Sequence, residues 1–267
     1  MNRFNTFTSS IDISSHEAWF TSYASSERAR EHGDASPMDL KRQHTMAVLA
    51  NANRIVLDER FEPQISRACL LAALYHDVGR FGQYLQYHTF RDKESCNHGQ
   101  MGVRILKKKN RLADEAPLIR KLVLTAVGMH NRFVLPAHIS HTAALVTNVV
   151  RDADKLDILR IMEEHLNGPG PYNPTVVLQQ PDDPTIAGEG ILNAVRECRV
   201  ASYADLRCVN DFRLLLGTWF YDLHFNTARK MFLEDGHALA LLRGLPDNTP
   251  QAPLRDFLLQ QLTTAGA

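Results

Sequence analysis

Apolar residues recur at helical spacing along most of the chain, and few stretches alternate as strands do. The pattern predicts helices over residues 16–30 (capped by Ser15), 38–53 (opened by Ser36-Pro37) and 63–77 (begun at Pro63). Further helices are expected over 97–109 (capped by Ser95), from Asp114-Pro117 to His130, and over 141–166 (capped by Ser140). Beyond them the pattern resumes at 189–200, 204–234, 237–244 and 251–263. Residues before 14 read as a polar lead-in. Gly79 reads as the stop of the third helix, and 80–94 as a loop over its end carrying Tyr84, Tyr87 and Phe90. Pro169, Pro171, Pro174, Pro181 and Pro184 make 168–188 a crossover or flap rather than a helix. The expected fold is all-α, a helical bundle with additional C-terminal helices, in a single domain over 1–267.

Two helices carry more than scaffolding. The run Leu70-Leu71-Ala72-Ala73-Leu74-Tyr75 delivers His76-Asp77 at its end, followed by Val78-Gly79-Arg80. In the helix over 141–166, Thr147, Val150, Ile158 and Ile161 share a face with Asp154, while Leu145, Val149 and Leu156 lie opposite beside Asp152. Apolar residues on both faces mark a helix in the centre of a bundle. Acids in such a helix are costly unless paired or bound to metal.

Composition narrows the function class. Lys+Arg and Asp+Glu are both 30, so the chain lacks the basic surplus that long nucleic acid demands. The N-terminus has no signal-like apolar core, and no run reaches the ~18 apolar residues of a membrane span. Cys69, Cys96, Cys198 and Cys208 form no Cys-x-x-Cys pair and read as thiols in a reducing compartment. A cytoplasmic protein is expected. The helix at 204–234, rich in Leu214, Leu215, Leu216, Trp219, Phe220, Tyr221 and Phe225, reads as core, with a homo-oligomer contact as the second use of its apolar surface.

His76-Asp77 alone proves little, since twelve His and eighteen Asp predict roughly 0.8 such pairs by chance. Its company is informative. His44, His76, His98 and His130 fall on different predicted helices or at their ends, with Asp77 beside His76 and further acids in Asp152-Ala153-Asp154-Lys155-Leu156-Asp157. Helices of a bundle can aim such side chains at one point. Imidazole and carboxylate suit Mn, Fe, Co, Ni, Zn or Mg.

The ordered set Lys41-Arg42-Gln43-His44, Ala73-Leu74-Tyr75-His76-Asp77-Val78-Gly79-Arg80 and Asp152-Ala153-Asp154-Lys155-Leu156-Asp157 resembles the HD-domain metal-dependent phosphohydrolase superfamily, over about residues 38–166. The resemblance implies an HD-type core there and a helical extension at 189–267. It gives Asp154, in the Ala-Asp-x-Leu box, as a ligand; Asp152, some 200° around the helix, does not share that role. His98 and His130 stand where members with two metals add ligands. The implied set is His44, His76, Asp77, His98, His130 and Asp154, holding two divalent ions bridged by Asp77. The Gly-Tyr-Pro of the cyclic-dinucleotide phosphodiesterase branch is absent.

By the same resemblance the expected activity is hydrolysis of a phosphoester, of a nucleotide or another small phosphorylated metabolite, by metal-activated hydroxide. Asp77, Arg80 and Lys155 are the expected catalytic residues, with Arg132 as a third cation candidate. Two readings compete. HD-domain mixed-valence di-iron oxygenases use a comparable ligand set, and some HD modules only sense a ligand.

Overall fold

The computed structural model describes residues 11–168, 171–172 and 176–266. The lead-in before residue 11 and Pro169, Gly170 and Pro174 of the proline-rich segment lie outside the described residues. All regular structure among the described residues is helical. The chain divides into two compact units, Met1–Arg151 and Asp152–Ala267.

The first unit contains α1 (Ser14–Arg28), α2 (Ser36–Asp58), α3 (Pro63–Tyr75), α4 (Val78–Tyr87), α5 (His98–Lys108), α6 (Pro117–Met129) and the start of α7 (His141–Leu166). Helix α3 is its centre. From Ala68 to Tyr75 every residue is buried, and the helix packs against α2 and α6. A fully buried Leu71 or Leu74 contributes roughly 1.5–3 kcal/mol. Val48, Ala52, Ile55 and Val56 form the buried stripe of α2, and His44 lies one turn before Val48 on the same stripe. Ile119, Leu122, Val123, Ala126 and Val127 form that of α6, which His130 extends. These histidines therefore sit on core-facing positions.

Helix α1 is not capped by Ser15. Its N-cap is Ile13, without a side-chain bond. It is tied down instead by buried His16, whose Nδ1 lies 2.8 Å from Tyr75 Oη and Nε2 2.9 Å from Glu115 Oε1. Arg67 holds both oxygens of that glutamate at 2.7–2.8 Å. Phe20 and Tyr23 pack edge-on against Phe81 of α4.

Residues 80–94 are not the expected loop. Helix α4 restarts directly after Asp77 and runs to Tyr87, where His88 ends it in the left-handed region at φ 50°. Gly79 is not a helix stop either. It is buried inside α4, and a Cβ there would lie 2.1 Å from His98 O and 2.7 Å from Gly102 N. The glycine serves a close approach of α4 to α5, not a turn. Likewise α5 is capped by Asn97, whose Oδ1 accepts Gln100 N–H at 2.9 Å, rather than by Ser95. Ser140 does cap α7, accepting Ala143 N–H at 3.3 Å.

The second unit holds the rest of α7, then α8 (Glu189–Arg196), α9 (Val209–Thr218), α10 (Asn226–Glu234), α11 (His237–Arg243) and α12 (Ala252–Gly266). Every residue of α9 is buried, and the helix packs against α8, α11 and α12. Leu214, Leu215 and Leu216 are wholly inside this core, which accounts for their apolar surface. The single helix expected over 204–234 is broken into short turns, α9 and α10 by two buried carboxylates. Asp211 accepts the N–H groups of Gly188 and Arg207 at 2.8–2.9 Å and starts α9. Asp152 accepts those of His224 and Phe225 at 2.7 and 3.1 Å and starts α10. Asp152 thus pins the chain at the start of α10 from far away in sequence, whereas Asp211 lies in the first turn of the helix it starts.

Candidate metal centre

The junction of α3 and α4 organises the site. His76 closes α3 and Asp77 is the N-cap of α4, so the two ligands sit on abutting helix ends. The Asp77 carboxylate is at the favourable, positive end of α4. It is 2% exposed, and each oxygen faces a different pair of histidines. Oδ2 lies 3.6 Å from His76 Nε2 and 3.8 Å from His44 Nε2. Oδ1 lies 3.4 Å from His98 Nε2 and 3.8 Å from His130 Nε2 and makes no hydrogen bond. The histidines are buried to 6% exposure or less. Two clusters result, His44–His76–Asp77 and Asp77–His98–His130, each able to hold a metal ion, with Asp77 common to both.

The ring orientations are set from behind. His76 Nδ1 donates to Ala73 O at 2.7 Å and His130 Nδ1 to Val127 O at 2.9 Å. A carbonyl oxygen only accepts, so in the neutral form of both rings Nε2 is the lone-pair nitrogen, and it is aimed at Asp77. His98 Nδ1 donates to Asp92 at 2.8 Å. His98 Nε2 and His130 Nε2 then face each other at 3.0 Å. Two lone pairs at that distance repel, and a cation shared between them removes the repulsion. This donor set of buried imidazole nitrogens and one carboxylate fits a divalent ion of the Mn-to-Zn series.

Two cations reach the carboxylate. Lys41 Nζ donates to Asp77 Oδ2 at 2.7 Å, and Arg80 Nε lies 3.4 Å from Oδ1. Burial alone would raise the Asp77 carboxyl. Lys41, then His76 and Arg80, outweigh burial and hold it well below the usual carboxylate range. Burial, reinforced by Arg80, pushes His98 down to about 4 despite its Asp92 partner. Both groups are therefore in their ligating forms at neutral pH. Phe90 lies over both cations, its ring centroid 5.8 Å from Lys41 Nζ and 5.7 Å from Arg80 Cζ.

Five of the six expected ligands thus converge: His44, His76, Asp77, His98 and His130. Asp154 is on α7 in the second unit and half-buried. Asp152 is fully buried and engaged by His224 and Phe225, so it serves the fold. Of the expected catalytic residues, Asp77 and Arg80 are together. Lys155, in the second unit, places its ammonium on Asp222 Oδ2. Arg132 is exposed.

Lys41, Asp92 and Asn131 were not singled out by the sequence. Lys41 is three residues before His44 on one helix, and that spacing was the available signal. Asp92 is on the short 3-10 turn Asp92–Glu94, where nothing in the sequence marks it. Tyr84 and Phe90 pack on each other with centroids 5.2 Å apart.

Comparison with known proteins agrees with this geometry. No curated protein and no solved structure gives a match to the chain. Residues 42–159 match the family model described as HD domain, a region that runs across the division between the two units. HD domains bind divalent metals, belong to a superfamily of metal-dependent hydrolases, and include non-catalytic members. No helix among the described residues is long and apolar enough to cross a membrane. The His and His-Asp positions stand in order, with their side chains gathered at one buried point, inside the stretch 42–159 that matches the HD domain.

Proposed function

We propose that the chain is a metal-dependent phosphohydrolase acting on a nucleotide or another small phosphorylated metabolite, with two divalent ions held by His44, His76, Asp77, His98 and His130. The observation that carries the reading is Asp77, a buried carboxylate that turns one oxygen to each of two histidine pairs. The ions, when bound, supply Lewis acidity and bring the pKa of water from ~15.7 towards ~7.

The chain's own groups do the rest. In their neutral forms His76, His98 and His130 carry the proton on Nδ1, which is committed to an acceptor, and so present Nε2 as the ligating nitrogen. Lys41 and Arg80 border the carboxylate and offer N–H donors to phosphate oxygens; charge-assisted bonds of that kind are roughly twice as strong as neutral ones. Phe90 shields both cations from bulk water and presents a face beside them on which a base can rest. The resemblance gives Asp154 as the sixth ligand, and Asp154→Asn with metal content as readout tests that assignment.

The experiment is metal content together with phosphate release from a panel of nucleotides and sugar phosphates, for the native chain, His76→Ala and Asp77→Ala. Mn-, Co- or Ni-stimulated release that both substitutions abolish supports the reading. Metal content and hydrolysis that survive either substitution sink it. Oxygen consumption by the iron-loaded chain without phosphate release assigns the site to an oxygenase instead.

A further inference from the structure

Of the three ring nitrogens that point away from Asp77 onto described partners, two rest on neutral carbonyls: His76 on Ala73 O and His130 on Val127 O. His98 alone of these rests on a carboxylate, Asp92, with both oxygens 2.8 Å from Nδ1. The same carboxylate gathers donors from three other side chains. Oδ1 accepts Arg80 Nη1 at 3.1 Å and Gln83 Nε2 at 3.0 Å, and Oδ2 accepts Asn131 Nδ2 at 3.0 Å. Gln83, wholly buried, also donates to Ser95 Oγ and Cys96 O, which fastens the short segment carrying Asp92 to α4. Arg80 Nη1 is further held by Gln83 Oε1 and Phe90 O, so the far side of its guanidinium is committed while Nε faces Asp77.

We propose that Asp92 is a positioning residue that ties the second metal subsite to the substrate cation: it holds His98 as a ligand and Arg80 in register with it. The inference rests on the two-ion reading above. The chemistry is direct. A carboxylate behind an imidazole keeps the proton on Nδ1, makes Nε2 a better donor and fixes the ring plane. An asparagine in its place has no charge and one accepting oxygen for four donors. An amide nitrogen turned towards the ring would move the imidazole proton to Nε2, where it blocks ligation. The loss is expected on one subsite, because the ligand that Asp92 holds is His98.

The test is calorimetric titration of chelator-treated protein with MnCl2, for the native chain, Asp92→Asn, His98→Ala and the double variant. The native chain is expected to take two ions. In Asp92→Asn one ion is expected to bind 10–100-fold more weakly, as for other partners of ligating histidines, while the other stays within about threefold. In the His98→Ala background, Asp92→Asn is expected to cost no further Mn affinity, as a cycle through a shared partner requires. KM for a phosphoester is expected to rise in Asp92→Asn through Arg80. Thermal unfolding of the chelator-treated variants separates a folding defect, which would weaken both ions together, from this role. Two tight ions in Asp92→Asn, equal weakening of both, or a full Asp92→Asn effect on top of His98→Ala overturns the inference and leaves the two-ion reading standing. A native chain that takes one ion overturns both.

Discussion

Gly79→Ala is the sharpest perturbation of the scaffold. The added methyl would sit 2.1 Å from His98 O, 2.7 Å from Gly102 N and 3.1 Å from His98 C, all of them backbone atoms of α5. Side chains can rotate away, but a helix start can only translate, by roughly an ångström here, before the contact is tolerable. Overpacking of this kind costs about 1–3 kcal/mol. For a chain of this size each kcal/mol lowers the unfolding midpoint by roughly 2–4 °C, so a fall of roughly 2–12 °C is expected. The displaced element carries His98 at its first residue, so Mn affinity of the second ion should fall as well. Gly82→Ala is the matched control. It lies on the same helix, and its methyl would meet Met101 Sδ at 3.3 Å, the flexible end of a side chain. That substitution is expected to be neutral or to stabilise by up to about 1 kcal/mol through helix propensity. Circular dichroism melts of the three chelator-treated proteins, followed by Mn titration, supply both readouts. A Gly79→Ala protein that melts like Gly82→Ala and keeps two ions would refute the close-approach argument.

The cations can be separated in the same way. Lys41→Met removes the strongest partner of a buried carboxylate and should cost about 3 kcal/mol in chelator-treated protein, a loss that added Mn restores. Lys155→Met removes a pair with Asp222 and should cost about 1 kcal/mol with or without Mn; equal metal dependence of the two would refute the assignment. Stability without metal should also fall with acid. His98 is held at about 4 in the fold against about 6.5 free, so its contribution is complete above pH 6.5 and drains away as pH falls towards 4. His16, lowered first by burial and then by Arg111, acts in the same direction. Melts from pH 7 to 4 should decline, less steeply in His98→Asn; a midpoint that rises with acid would contradict the shifts.

The ligands were legible because each histidine extends an apolar stripe or ends an apolar helix, and because their order matches one family. His44 continues Val48 and Ala52, and His130 continues Val123 and Val127. What the pattern hid was tertiary. Gly79 read as a helix stop and Gly82 as part of a loop over 80–94, yet both glycines lie within α4, and Gly79 is there for packing. Asp152 breaks the apolar run at 204–234 by bonds to backbone far away in sequence, which no local propensity foretells, while Asp211 does so mainly as the local cap of the N–H groups of Arg207 and Cys208. The Asp92 contacts come from a turn whose own residues are unremarkable and gain meaning only from Gln83 and Asn131.

The spread of ligands along the chain has a consequence for biosynthesis. The cluster of His44, His76 and Asp77 is complete in sequence well before His98 and His130 have been made. Chains grow at ~5–20 residues per second and fold as segments emerge, so seconds separate the two clusters on the ribosome. Helix α3, which presents His76, packs against α6, which ends at His130, so the helix of the first cluster gains its full packing only once the second pair has been made.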